Sequence, residues 1–206
     1  MTFSVDRLVF SPNDVDLDAS PLRAAMRDAG EETFVLGAFN PGLTRLANRN
    51  LLMLVRIAEA LRNPIHGGAV HAIRWTGAGY ASDAHPIDNF DLTDPRSFGR
   101  LSGGSQVLGL TSLSWLLPVE LSPDGFEVLR VHYDKAIAPR ASYQEYGIED
   151  ARISVIDGIY YLTACAVSAE RHATALYTSR DGLNYDLRGL VLDHQNKDML
   201  LFEGRI

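Results

Sequence analysis

Two adjacent carboxylates and an arginine stand directly before an apolar strand pattern in the second half of the chain. They are Glu149, Asp150 and Arg152, and the pattern that follows ends at the tight Asp157-Gly158 turn. Paired carboxylates suit general acid catalysis, because burial or a neighbouring negative charge raises the pKa of a carboxyl group toward neutrality. A nearby arginine can orient or neutralise the second carboxylate. On residue type alone, however, such a group is more often a surface ion-pair cluster.

Two polar residues in the first half of the chain also lie in strand-like stretches. Asn40 stands in Phe39-Asn-Pro-Gly42, and Arg56 interrupts the apolar run 51–57. An amide both donates and accepts hydrogen bonds, and a guanidinium offers several fixed donors, so both suit the recognition of a polyol. The alternatives are a turn-forming Asn-Pro pair and an ion pair between Arg56 and Glu59. Residue type alone favours these alternatives.

Composition narrows the class of protein and of partner. The chain has 206 residues, of which 46% are hydrophobic, and this is enough for a sizeable core. Its net charge of -7 leaves no basic face, which argues against nucleic acid and anionic membrane as partners. The start of the chain lacks a signal-peptide pattern, and no apolar stretch approaches the ~20 residues of a membrane span. The cytoplasm is therefore the expected compartment. Cys165 lies in an apolar run typical of a buried structural thiol.

The order of the predicted elements indicates an all-β protein. Residues 1–32 form an N-terminal extension with a short helix between Pro21 and Gly30, since proline favours a helix start and glycine a helix end. Residues 33–206 hold short strand patterns with turn signals, and the first strand is expected to end at the Asn-Pro-Gly turn. Residues 81–104 are rich in Asp, Pro, Ser and Gly and are expected to form a long loop.

An internal repeat is more informative than any one strand. Val119-Glu-Leu-Ser-Pro-Asp-Gly-Phe126 recurs as Leu176-Tyr-Thr-Ser-Arg-Asp-Gly-Leu183, in each case a strand followed by a Ser-x-Asp-Gly turn. Short strands that repeat with such turns are typical of propeller blades. Helical segments do not alternate with the strand patterns, which argues against a doubly wound α/β sheet.

The six histidines show no metal-ligand spacing with the acidic residues along the sequence. They are His66, His71, His85, His132, His172 and His194. Hydrogen-bonded or solvated histidines are the default for such a pattern. No metal site and no cofactor are therefore expected.

Five motifs occur in a fixed order along the chain. They are Phe39-Asn-Pro-Gly42, Leu52-Met-Leu-Val-Arg56, Ser122-Pro-Asp-Gly125, Gly147-Ile-Glu-Asp-Ala-Arg-Ile153, and Asn196-Lys-Asp198 with Leu201-Phe202. In this order and at these distances, the set resembles glycoside hydrolase family 130, the β-mannoside phosphorylases and inverting β-mannosidases. The resemblance extends from about Phe39 to the last residue.

The resemblance implies a five-bladed β-propeller with its active site at the central axis. On that basis the chain holds about the first three blades, in a partial propeller over residues 33–206, and is expected to be a fragment. Ala151 stands where the family pattern has a proline. Lys197 and Asp198 stand where the phosphorylases carry Arg-Asn.

The resemblance also implies roles for the polar residues already named. It makes Asp150 the general acid, acting through a hydroxyl group of the sugar. It places Asn40 and Arg56 in the subsite that precedes the scissile bond. The remaining residues expected to bind substrate are Glu149, Arg152 and Asp198.

The reaction type depends on the group that attacks the sugar. Lys197, with Arg171 and His172, could bind inorganic phosphate as the nucleophile of phosphorolysis. Glu203 could instead be the base that activates water, and inverting hydrolysis needs its two carboxyl groups ~6.5–9.5 Å apart. The sequence thus indicates an inverting β-mannoside phosphorylase that releases mannose 1-phosphate, with an inverting β-mannosidase as the alternative.

A third interpretation is a non-catalytic, carbohydrate-binding or inactive propeller fragment. In each case the expected ligand is a small oligosaccharide, with phosphate as co-substrate for a phosphorylase. Because an unpaired strand edge would be exposed, a homo-oligomer or pairing with a missing C-terminal portion is also expected.

Overall fold

The computed structural model describes residues 7–100, 107–192 and 194–202, and β-strands are the main regular structure over these residues. In chain order the strands are β1 (Thr33–Arg45), β2 (Leu51–Leu61), β3 (Ile65–His66), β4 (Ala69–Trp75), β5 (Tyr80–Pro86), β6 (Phe90–Asp91), β7 (Ser97–Arg100), β8 (Val107–Leu110), β9 (Ser112–Leu121), β10 (Val128–Val131), β11 (Gly147–Ile156), β12 (Ile159–Val167), β13 (His172–Ser179) and β14 (Asp186–Leu190). The helix expected between Pro21 and Gly30 is α1 (Arg23–Asp28). Single 3-10 turns lie at Pro12–Asp14, Leu17–Ala19, Ile87–Asn89, Tyr133–Lys135 and Ser142–Gln144.

Two four-stranded antiparallel sheets form the body of the molecule, and we call them blade 1 and blade 2. Blade 1 has the order β1-β2-β9-β10, and blade 2 has the order β11-β12-β13-β14. A parallel bridge between Gly147 of β11 and Ser114 of β9 joins the blades. A side chain at Gly147 would meet the backbone of Ser114 at 2.6 Å, so glycine permits this close approach.

The predicted internal repeat occupies the same place in both blades, the turn from the third strand to the fourth. In blade 1, the Asp124 carboxylate accepts hydrogen bonds from the Ser122 hydroxyl and the Phe126 amide. In blade 2, Asp181 accepts from the Ser179 hydroxyl and the Leu183 amide in the same way. The repeat therefore marks two copies of one supersecondary unit.

Two small sheets are inserted between β2 and β9. One has the order β3-β4-β5 and the other the order β6-β7-β8. The long loop expected over residues 81–104 is therefore wrong, because β5, β6 and β7 lie largely within it. Asp, Ser and Pro mask these strands in the sequence: β5 reads Tyr80-Ala-Ser-Asp-Ala-His-Pro86 and pairs with β4 along its whole length.

The first strand also differs from its prediction, because it does not end at the Asn-Pro-Gly sequence. β1 passes through a bulge between Phe39 and Gly42 and then pairs again with β2 as far as Arg45. Asn40 takes a left-handed conformation (φ 47°) inside the bulge, which asparagine tolerates better than most residues. The Asn-Pro-Gly sequence therefore forms a bulge that redirects the Asn40 side chain and does not end the strand.

A buried glutamate holds the N-terminal extension against blade 1. Glu59 of β2 has no solvent exposure, and its carboxylate accepts hydrogen bonds from the hydroxyls of Ser20 (2.5 Å) and Thr33 (2.7 Å) and from the indole of Trp115 (3.2 Å). Leu22 and Met26, at the start of and within α1, are buried in the same apolar cluster as Trp115. This carboxylate therefore satisfies three donors inside the core.

These observations confirm an all-β partial propeller. Beyond the two complete blades, residues 196–202 run beside blade 2, where the backbone carbonyls of Met199 and Leu201 accept hydrogen bonds from Thr163 and Ser154.

Cys165 is buried, as expected, and burial raises the pKa of its thiol to about 12. Within the described parts of the chain, every helix falls short of what a membrane crossing would require.

Replacing Glu59 with leucine tests the buried network. Leucine fills similar space but leaves the Ser20, Thr33 and Trp115 donors unsatisfied, so we expect the free energy of unfolding to fall by about 3 kcal/mol or more. Urea denaturation measures the change. Glu127→Leu, on an exposed glutamate, is the matched control and should stay within about 0.5 kcal/mol of the parent chain. Equal effects of the two substitutions would contradict the assigned role of Glu59.

Candidate active site

Arg56 joins the two blades through a pair of carboxylates. Its guanidinium lies on β2 and contacts the carboxylates of Glu149 (2.5 Å) and Asp150 (3.1 Å) on β11. The Arg56 Nε also donates to the Ser114 hydroxyl at 3.1 Å, and the guanidinium carbon lies 4.8 Å from the centre of the Phe39 ring. The alternative ion pair of Arg56 with Glu59 is therefore wrong, because Glu59 is engaged in the core on the other face of the strand.

Asn40 and Asp150 occupy matching positions on the first strands of the two blades. Each lies in a bulge and takes a left-handed conformation, with φ 47° for Asn40 and 53° for Asp150. The Asn40 amide donates to Asp150 Oδ1 at 2.7 Å. The strands approach closely here, since a side chain at Gly42 would meet the Ala151 backbone oxygen at 2.8 Å. Both side chains therefore reach the same point from neighbouring blades.

The hydrogen bonds to Asp150 are asymmetric. Among the described residues, Asn40 and Arg56 both donate to Oδ1. The side chain is 16% exposed, so the carboxyl group is held in place but remains open to solvent. Within the part of the chain that the structure describes, Oδ2 accepts no hydrogen bond and is therefore the oxygen placed to contact a ligand.

Charge in this cluster is unbalanced in favour of the carboxylates. One guanidinium faces two carboxylates, and burial raises the pKa of Glu149, while Arg56 opposes the rise and Asp150 adds to it. Smaller contributions from the Ser114 hydroxyl and His172 favour the ionised form. Glu149 therefore holds a proton more readily than an exposed glutamate would.

A cleft of about 680 Å³ opens beside the cluster and brings together several predicted residues. Arg56, Glu149, Arg171 and His172 all line it. Glu170 and Gln195 line it as well, and neither was singled out from the sequence because each stands in a polar stretch without a distinctive pattern. Ser114, which contacts Arg56 and Glu149, was missed for the same reason.

The remaining predicted residues form a separate group on the exposed side of β11. Arg152 was expected to neutralise Glu149, but its ion pair is with Asp198 at 3.8 Å, and Lys197 contacts the same carboxylate at 3.6 Å. The bulge between Glu149 and Arg152 turns the arginine away from the acids, and Arg56 takes the expected place. Asp198 is itself left-handed (φ 60°), like Asn40 and Asp150. Glu203 lies outside the described residues.

The folded chain also brings together two histidines and an acid that sequence spacing kept apart. His66 and His71 both contact the carboxylate of Glu31. Their ligand atoms lie within 4.8 Å of one another, which is a possible metal-binding group. The sequence spacing did not indicate this group because Glu31 approaches the histidines only through the tertiary fold, and the expectation that no metal is bound stays a prediction.

The raised pKa of Glu149 predicts a pH-dependent stability difference. A carboxyl whose pKa is higher in the folded chain binds its proton more tightly there, so its contribution to stability is lost as pH rises above the ordinary value of 4.5. The melting temperature of the parent chain minus that of Glu149→Gln should therefore decrease as pH rises above 4.5. Thermal melts of both chains at a series of pH values measure this quantity, and an increase with pH would contradict the prediction.

Known proteins with similar sequences are phosphorylases of mannosides. The chain is 32% identical over 202 residues to a β-1,2-mannobiose phosphorylase of Listeria innocua, covering 95% of this chain and 53% of that protein. It is 36% identical over 90 residues to a 1,2-β-oligomannan phosphorylase of a Thermoanaerobacter species, covering 42% of this chain and 30% of that protein. The chain thus spans about half the length of the first relative. No family model matches the sequence.

A solved structure gives the same result for the fold. The Listeria innocua β-1,2-mannobiose phosphorylase, in complex with β-1,2-mannobiose, superposes with a TM-score of 0.76 and 29% identity, covering 95% of this chain and 52% of that one. The sequence similarity and the shared fold both agree with the family that the five motifs from Phe39 onward resemble. The chain is therefore similar in sequence and in fold to mannoside phosphorylases, in agreement with its resemblance to glycoside hydrolase family 130.

Proposed function

We propose that the protein containing this chain is an inverting β-mannoside phosphorylase that acts on β-1,2-linked mannosides. The observation that carries the proposal is that Asn40 and Arg56 both contact Asp150, and that Arg56 also holds Glu149, beside a cleft that Arg171 and His172 line. The linkage is supported by the names of the two relatives, both of which act on β-1,2-mannosidic compounds.

Asp150 is the general acid in this proposal. Its Oδ1 is fixed by Asn40 and Arg56, so the proton is carried on Oδ2. The proton passes to the leaving oxygen through a sugar hydroxyl, as the family resemblance implies, while the bond between C1 and that oxygen breaks. Glu149 supports this role as an adjacent group with a raised pKa, since shared negative charge favours keeping a proton in the cluster.

Phosphate is the proposed nucleophile. An oxygen of the phosphate attacks C1 from the face opposite the leaving group, so a β-mannoside gives α-mannose 1-phosphate. Arg171 and His172 line the cleft and suit the binding of an oxyanion, because guanidinium and imidazolium groups donate charge-assisted hydrogen bonds. Lys197 is exposed and contacts Asp198, which leaves it a more distant candidate for the same task.

Hydrolysis is a second candidate because a further carboxyl group lines the cleft. Glu170 lies next to Arg171 and His172 and could activate water in an inverting hydrolase, in the role that the sequence suggested for Glu203. A non-catalytic sugar-binding protein is the third candidate. The three differ in products, so one assay separates them.

Product analysis tests the reaction type. The complete natural polypeptide that carries this chain is incubated with β-1,2-mannobiose, with and without inorganic phosphate, and the products are analysed by NMR. We expect phosphate-dependent formation of α-mannose 1-phosphate and mannose in equal amounts. Release of mannose alone, independent of phosphate, would instead indicate hydrolysis. Binding without turnover would overturn the assignment as an enzyme.

Asp150→Asn tests the assigned acid. Asparagine keeps the left-handed backbone and the size of the side chain but cannot supply the proton, so kcat should fall by about 10²–10⁴-fold with little change in melting temperature. Asp157→Asn is the matched control, since Asp157 is also left-handed but lies in the β11-β12 turn. Unchanged activity of Asp150→Asn, or an equal loss in the control, would contradict the assignment.

Arg171→Ala and His172→Ala test phosphate binding. Each substitution should raise the KM for phosphate by about tenfold or more while changing the KM for the mannoside much less, because one charge-assisted contact is lost. Initial rates at varied phosphate and fixed mannoside give both constants. Arg188→Ala, on an exposed strand of blade 2, is the control. A parallel rise in both constants would indicate a disturbed cleft instead of a phosphate site.

A further inference from the structure

A second group of polar side chains lies outside the carboxylate cluster, where the N-terminal extension meets the inserted β3-β4-β5 sheet. Its centre is Glu31, the first residue after the glycine that follows α1, and its amide donates to the Met26 carbonyl at 2.8 Å to complete the helix end. The Glu31 side chain is only 7% exposed. A carboxylate buried to this degree requires hydrogen-bond donors or a cation around it.

The strand register places both histidines on the face that covers Glu31. His66 pairs with Ala69 across the β3-β4 hairpin, and His71 lies two residues after Ala69 on β4. Residues two apart on a strand share a face, as do directly paired residues, so the two imidazoles project on the same side. Ser82 of β5, which pairs with Ile73, is on this face as well.

The contacts around the carboxylate use both of its oxygens. His71 Nδ1 lies 3.0 Å from Glu31 Oε1, and His66 Nε2 lies 3.4 Å from Oε2. The Ser82 hydroxyl donates to Oε1 at 2.8 Å. The imidazole rings are stacked, with centroids 3.9 Å apart and planes inclined by 19°.

This arrangement brings together the kinds of atom that bind a metal ion. Two stacked imidazole rings and one carboxylate meet at one point, and imidazole nitrogens and carboxylate oxygens are ligands of zinc sites. Ligands at ~2.0–2.2 Å from a tetrahedral ion lie roughly 3.3–3.6 Å apart. The His71 and His66 nitrogens lie 3.0 Å and 3.4 Å from the two carboxylate oxygens, and the candidate ligand atoms all lie within 4.8 Å of one another.

We propose that Glu31, His66 and His71 bind a divalent transition-metal ion such as Zn²⁺. Three protein ligands leave a coordination position for water. Ser82 holds the carboxylate by a hydrogen bond, a supporting contact typical of metal sites. The ion would tie the end of α1 to the β3-β4 hairpin, so its role is to stabilise the junction of the extension with the inserted sheet. The proposal does not depend on the proposed catalytic activity.

Direct metal binding tests this site. The 206-residue chain is freed of metal by chelation, and Zn²⁺ is titrated in competition with a chromophoric chelator, with Co²⁺ absorption as a second readout of ligand geometry. We expect one ion per chain and a rise in melting temperature of roughly 5–10 °C at a hundredfold excess over Kd. The absence of stoichiometric binding would overturn the proposal.

Substitutions identify the ligands. His66→Ala alters a half-exposed side chain and Glu31→Gln keeps the size of a buried one, and each should weaken Zn²⁺ binding by tenfold or more and remove the thermal shift. Circular dichroism of the metal-free variants verifies folding. His194→Ala, on an exposed histidine, is the control and should bind as the parent does. Zn²⁺ binding by His66→Ala equal to that of the parent chain would place the ion elsewhere and overturn the assignment.

Discussion

The guanidinium of Arg56 is the contact on which the arrangement of the site depends. It comes from a strand of blade 1 and balances only part of the charge of Glu149 and Asp150 on blade 2. A partly buried group with two acids and one base favours retention of a proton, and the raised pKa of Glu149 follows from burial before any ligand is present. The same contact therefore joins the blades and fixes the positions of the two carboxyl groups, while it opposes the rise in the pKa of Glu149 that burial causes.

Backbone geometry decides where these charges meet. The first strand of each blade contains a bulge with one left-handed polar residue, Asn40 in β1 and Asp150 in β11. The absence of a side chain at Gly42 lets the strands approach so that the amide reaches the carboxylate. Asp198, which lies beside blade 2, takes the same left-handed conformation.

Local patterns in the sequence predicted a good part of this structure. The Ser-x-Asp-Gly repeat located equivalent turns in the two blades, because side-chain-to-backbone hydrogen bonds fix such turns locally. Long-range partners were harder to predict. Nothing in the sequence shows that Arg56 faces the acids and Arg152 does not, since a bulge reverses the alternation that periodicity assumes. The β5 strand was missed because its Asp, Ser and Pro residues are typical of loops, and the group around Glu31 was missed because its three residues meet only in the tertiary fold.

The central claim is that Asp150, held by Arg56 and Asn40, faces the sugar whose glycosidic bond is broken. A crystal structure of the Asp150→Asn variant of the complete polypeptide with bound β-1,2-mannobiose tests it directly. We expect a mannose unit whose hydroxyl or glycosidic oxygen lies within ~2.6–3.2 Å of the residue 150 side chain, beside the cleft that Arg171 and His172 line. A sugar that contacts neither residue 150 nor Arg56 and Glu149 would contradict the claim.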